Sequence, residues 1–66
     1  MNMSGDELRL ILGIKLKQLR QERSYSLKDL TEKTGLSLSY LSEIENGKKY
    51  PKPEKIIQIA QALGTT

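Results

Sequence analysis

Ser39, Ser42 and Glu43 are the residues of this chain most suited to chemistry with something outside it. Two hydroxyls can donate or accept, and one carboxylate accepts only. That is a vocabulary for hydrogen-bonded recognition rather than for bond breaking. The chain has no histidine and no cysteine, so zinc and copper sites of the usual kind have no ligands. It has no phosphate-cradling glycine loop, and no carboxylate pair with an evident reason to converge. Asp29/Glu32 and Glu43/Glu45 read more simply as caps, solvated charges and one ion pair. Neither catalysis, nor a metal, nor a cofactor is expected.

Those three residues need a helix to present them. With about 100° per residue, Leu41, Ile44 and Glu45 share one face of a helix over residues 38–46. Ser39, Ser42, Glu43 and Asn46 fall on the opposite side, with Tyr40 beside them and Leu38 on the border. That outward face is slim and polar, as a helix lying in a groove about 12 Å wide would require. Simple solvation of short polar residues is the competing explanation. Glu45 is the exception, an acid on the inward face, where an unpaired charge is costly. Arg20 flanks the Leu16/Leu19 stripe and is its expected partner, in a structural ion pair.

The stretch from Ser26 to Gly47 organises the chain as two short helices around a turn at Gly35. Ser26 with Asp29 forms a capping box, Leu27 and Leu30 face inward, and Gly35 stops the helix at positive φ. Leu36 plugs the corner, and Ser37 caps the next helix, which ends at Asn46-Gly47. Ahead of this pair, Ser4-Gly5-Asp6-Glu7 has the form of a capping box opening a helix over about residues 5–23. Leu8, Leu12, Leu16 and Leu19 make its stripe. Leu10, Ile11 and Ile14 lie partly outside that stripe, to be covered either by neighbouring helices or by another chain. After a loop fixed by Pro51, Pro53 opens a fourth helix, with Ile56, Ile59, Ala60 and Leu63 inward and Gly64 at its end. No strand pattern and no repeat is present. The expectation is all-α, four helices.

The 66 residues bound the chain to a single domain, taken as residues 4–66. No apolar run approaches the roughly 18–20 residues that span a bilayer, so no membrane partner is expected, and the absent cysteine fits an intracellular protein. Net charge is +3 and unevenly spread. Residues 1–46 balance; the excess is Lys48, Lys49, Lys52 and Lys55 against Glu54 alone. A basic cluster just after the organising stretch suits contact with a polyanion.

These residues resemble a known family. Leu30-Thr31, Gly35-Leu36-Ser37, Leu41-Ser42, Ile44-Glu45-Asn46-Gly47, Pro51 and Ala60-x-x-Leu63-Gly64 are similar to the Cro/phage-repressor (XRE) helix-turn-helix domain. The likeness covers about residues 9–64, and the motif itself is residues 26–47. It implies a compact lambda-repressor-like bundle, here of four helices with the family's fifth missing or truncated. It also implies a cytoplasmic transcriptional regulator that binds double-stranded DNA, usually as a homodimer, with its third helix in the major groove. Carried over position by position, Leu38, Ser39, Tyr40, Ser42 and Glu43 would read bases. Ser37, Asn46, Lys48, Lys49, Lys52 and Lys28 would hold phosphate. Arg20 and Glu45 match the family's internal ion pair.

Three positions depart from the pattern. Leu27 replaces a frequent Gln that bonds the DNA backbone. Thr31 replaces a usual Ala and puts an extra polar atom in a tight helix crossing. The chain stops at Thr66, where a fifth helix, and in longer proteins an effector domain, would follow. An antitoxin or restriction-controller regulator of the same fold, or an interaction module that has lost DNA binding, are the alternatives.

Overall fold

In the computed structural model, which describes residues 4–65, four helices follow one another: α1 (Gly5–Glu22), α2 (Leu27–Thr34), α3 (Leu38–Glu45) and α4 (Pro53–Ala62). The described residues contain no strand. α3 packs against α1 and α2, and α2 packs against α4. Leu16, Leu30, Leu41, Ile44, Ile59 and Leu63 form the buried core, with Leu12, Leu19, Leu27, Leu36 and Tyr40 packed around it. Thus α3 is wedged between two helices by Leu41 and Ile44, both fully buried, and only its opposite face meets solvent.

Local signals set the boundaries. Ser26 Oγ accepts from the Asp29 N–H at 2.9 Å, and Asp29 Oδ2 accepts from the Ser26 N–H at 2.8 Å, so the capping box of α2 is complete. The bond from the Ser26 N–H, above all, holds the Asp29 carboxyl below its ordinary range. At α1 only half of the expected box forms: Ser4 Oγ accepts from the Glu7 N–H. Gly35 ends α2 at φ 74°, left-handed backbone that a Cβ disfavours. Thr34 is buried beside it; its hydroxyl donates to the Leu30 carbonyl and accepts from the Leu36 N–H, bracing the turn. Gln58 of α4 donates to the Thr34 carbonyl, fastening the same corner from outside.

α1 ends without a glycine. Ser24 takes the left-handed conformation (φ 57°), while its N–H donates to Gln21 and that of Tyr25 to Arg20. This is the paired-bond stop that glycine usually serves. α3 ends in the same way with Gly47 at φ 75°.

One sequence expectation needs correction. Leu8 does not continue the core stripe: it is 42% exposed. α1 has 18 residues against eight for α3, so its first turns overshoot the helices that would cover them. Leu10, Ile11 and Ile14 are exposed as well, the last two on the side of α1 turned away from the core. Thr31 Oγ1 is buried without a hydrogen-bond partner, the extra polar atom expected in that crossing.

Candidate nucleic-acid interface

The site begins with what fixes α3. Arg20 Nε donates to Glu45 Oε2 at 2.7 Å and Nη2 donates to Oε1 at 3.0 Å. Nη1 donates to the Tyr25 carbonyl at 2.7 Å. This two-pronged pairing suits the planar guanidinium. The Glu45 side chain is only 5% exposed, and its hydrogen bonds raise the Arg20 pKa further above an already high value. One arginine therefore joins α1, the loop before α2 and the last turn of α3.

Gly13 makes the second constraint, one that sequence reasoning missed. It is buried in the middle of α1, and a Cβ there would lie 2.4 Å from the Ile44 carbonyl oxygen and 2.7 Å from that of Glu45. The helices touch backbone to backbone at this point. In the sequence Gly13 only interrupts an apolar run; its one available signal is that glycine weakens a helix interior and needs a reason to be there.

With Leu41, Ile44 and Glu45 turned inward, α3 offers Leu38 and Ser39 as exposed residues, with Ser42 and Glu43 half-buried. Leu38 is 54% exposed. Asn46 follows α3 as its C-terminal cap and donates from Nδ2 to Ser42 Oγ at 3.3 Å. Ser37 caps the other end, accepting from the Tyr40 N–H at 3.0 Å. The first turn of α3 carries no acid, so its N-terminal dipole is open to an anion. The first turn of α2 differs, since Asp29 already occupies that place.

The basic residues differ in what they touch. Lys49 reaches back over α3: its Nζ lies 3.8 Å from Glu43 Oε1 and 5.0 Å from the Tyr40 ring centre. Tyr40 meanwhile leans on the core. Lys48 is exposed, and its backbone N–H closes the end of α3 on Glu43. Lys52 is exposed at the start of α4, and Lys28 in the first turn of α2. Among the described residues, neither joins the Tyr40–Glu43–Lys49 group by an ion pair or cation–π contact. The structure thus brings together Tyr40, Glu43 and Lys49, and separately Ser42 and Asn46. Ser39 and Leu38 stand free toward solvent. No group of acidic residues able to hold a metal occurs among the described residues.

Two short helices in a fixed crossing, the second with a small polar outer face, define a helix-turn-helix. The chain belongs to the helix-turn-helix (HTH_3) family, whose model matches residues 16–66. It is similar to HTH-type transcriptional regulators. One is y4dJ of Sinorhizobium fredii, 30% identical over 60 residues that make up 91% of this chain and 78% of that protein. SutR of Escherichia coli is 40% identical over 88% of this chain. SinR of Bacillus subtilis is 51% identical over 53% of it. The matched segments make up 33% of SutR and 32% of SinR.

Proposed function

We propose that this chain binds double-stranded DNA sequence-specifically and regulates transcription, with α3 in the major groove. The observation that carries the reading is the division of α3: Arg20, Gly13 and the core fix one side, leaving Ser39, Ser42 and Glu43 on the other. Ser39 and Ser42 can bond several base edges, Glu43 accepts from cytosine N4, and Leu38 meets a thymine methyl. Tyr40, over which Lys49 lies, contributes its hydroxyl at the edge of that face. Ser37 with the N-terminus of α3, Asn46, Lys48, Lys52 and Lys28 take phosphates and set register. The role is one of binding without catalysis, in the cytoplasm of a bacterium or a phage-infected cell.

Each good base contact discriminates by roughly 1–3 kcal/mol, so one helix falls short of typical specific affinity. Two copies reading half-sites about 34 Å apart are required. A homodimer is therefore part of the proposal.

Selection of bound sites from a random duplex library, followed by gel-shift titration at several salt concentrations, tests it. Paired half-sites with helical-turn spacing and binding that falls with salt are expected. Recovery of unselected sequences, or no binding to duplex at low salt, would sink the reading.

A further inference from the structure

We infer that a second copy of this chain docks on the outer side of α1, as an antiparallel helix pair centred on Ile11. Leu8, Ile11 and Ile14 recur at three-residue spacing along an uncovered flank of α1, 42%, 51% and 66% exposed: Ile11 and Ile14 are turned away from the core, and Leu8 lies beyond the reach of the neighbouring helices. A contiguous apolar stripe of this kind is characteristic of an interaction surface rather than of a solvated helix.

The charges around the stripe choose the occupant. A two-fold axis at Ile11 makes the stripe face itself. It sets Leu8 against Ile14 of the other copy, and Ile11 against Ile11. The same register sets Glu7 against Lys15, and symmetry makes that pair twice. Among the described residues neither Glu7 nor Lys15 has an ion-pair partner in its own chain. Glu7 has only a 3.4 Å hydrogen bond from Ser4, and Lys15 is exposed. Asp6, by contrast, is already engaged by Arg9. Apolar and charged positions are thus complementary to their own copy in one register.

The stripe is short, about 12 Å from Glu7 to Lys15. It falls below the roughly 1,200–2,000 Å² that stable interfaces bury. The association is therefore weak and concentration-dependent, strengthened when two copies lie on neighbouring half-sites. The inference deepens the two-copy requirement of the proposed function and rests on it for its purpose, yet it is measured without DNA.

Sedimentation equilibrium of the free chain, from about 10 μM to 1 mM, tests it. The average mass should rise with concentration above the 7.5 kDa of the monomer. Ile11→Glu should weaken association at least about tenfold with an unchanged helical circular-dichroism spectrum. Glu7→Lys and Lys15→Glu should each weaken it roughly two- to fivefold, and the double reversal should restore it. A wild type that stays at monomer mass, leaving the stripe to a lipid surface or a different protein, overturns the inference. So does an Ile11→Glu chain that associates like the wild type, or a double reversal that fails to rescue. Ile11→Glu should still bind random duplex with the wild-type salt slope. Its loss of that binding would overturn the separation of this stripe from the DNA face, while a wild type that associates without binding DNA would overturn only the proposed function.

Discussion

Gly13 and Ile44 meet with no room for a side chain between them: a Cβ at position 13 would stand 2.4 Å from the Ile44 carbonyl oxygen. The neighbour is backbone and cannot rotate away. α3 therefore sits on α1 at a depth set by the absence of one methyl group.

Gly13→Ala should push α3 outward. Alanine favours helix over glycine by about 1 kcal/mol, but forced overpacking costs about 1–3 kcal/mol. We expect net destabilisation, seen as a lower melting temperature, where 1 kcal/mol corresponds to about 4–8 °C in a domain of this size. Operator affinity should fall further than stability explains. A variant as stable as the wild type would mean that the crossing is looser than it looks.

Glu45→Gln leaves the Arg20 guanidinium partly buried opposite a neutral amide. Loss of a hydrogen bond to a charged group costs about 1.5–3 kcal/mol, a large share of what so small a core supplies. Replacing both partners, Arg20→Met with Glu45→Leu, should cost less than Glu45→Gln alone, because no charge is left unpaired. Urea denaturation of the three variants checks the order.

Lys48→Ala should reduce the salt slope of binding by about one unit without changing base preference. Lys49→Ala should do more. Its ammonium lies against Glu43 and over Tyr40, so removing it frees Glu43 to turn. Site selection with Lys49→Ala should shift preference at the same base position as Glu43→Ala. If Lys49→Ala behaves like Lys48→Ala, the Glu43 contact has no part in recognition.

The Asp29 carboxyl has a lowered folded-state pKa. Its contribution is complete above the ordinary carboxylate pKa of about 3.9. It is lost as pH falls through the lower folded value. Melting temperature should drop on acidification below that point, and the drop should be shallower in Asp29→Asn. Arg20 has a raised pKa and works in the opposite sense, losing its contribution only at strongly alkaline pH. No change from either group is expected between pH 5 and 9.

Ser24→Gly should stabilise the chain. The position is left-handed, at φ 57°, where a side chain costs about 1–2 kcal/mol, and glycine returns part of that through greater freedom when unfolded. A gain in melting temperature of a few degrees is the expected result, by calorimetry.

Where residues speak for themselves, the sequence was informative. Ser26, Asp29, Gly35 and Ser37 mark helix ends through bonds made within four residues, so α2 and α3 were legible. Leu41 and Ile44 are inward by periodicity, and Glu45 on that same face called for a partner that Arg20 supplies. What stayed hidden depends on other elements. Gly13 has meaning only once α3 lies against it. Leu8 follows the stripe but lies past the end of its neighbours, a matter of relative helix length. Ser24 carries a glycine's conformation with no glycine to announce it. The Lys49–Glu43 contact needs the reversal at Gly47, which brings the loop back over the helix it has just left.

That reversal has a mechanical side. A Cβ on Gly47 would lie 2.6 Å from Leu10 Cδ2, so the turn that leads into Lys48 and Lys49 is seated directly on α1. The lysines are carried on a lever whose fulcrum is Leu10, not on a slack tether. Any load that tilts the long helix would move them with it.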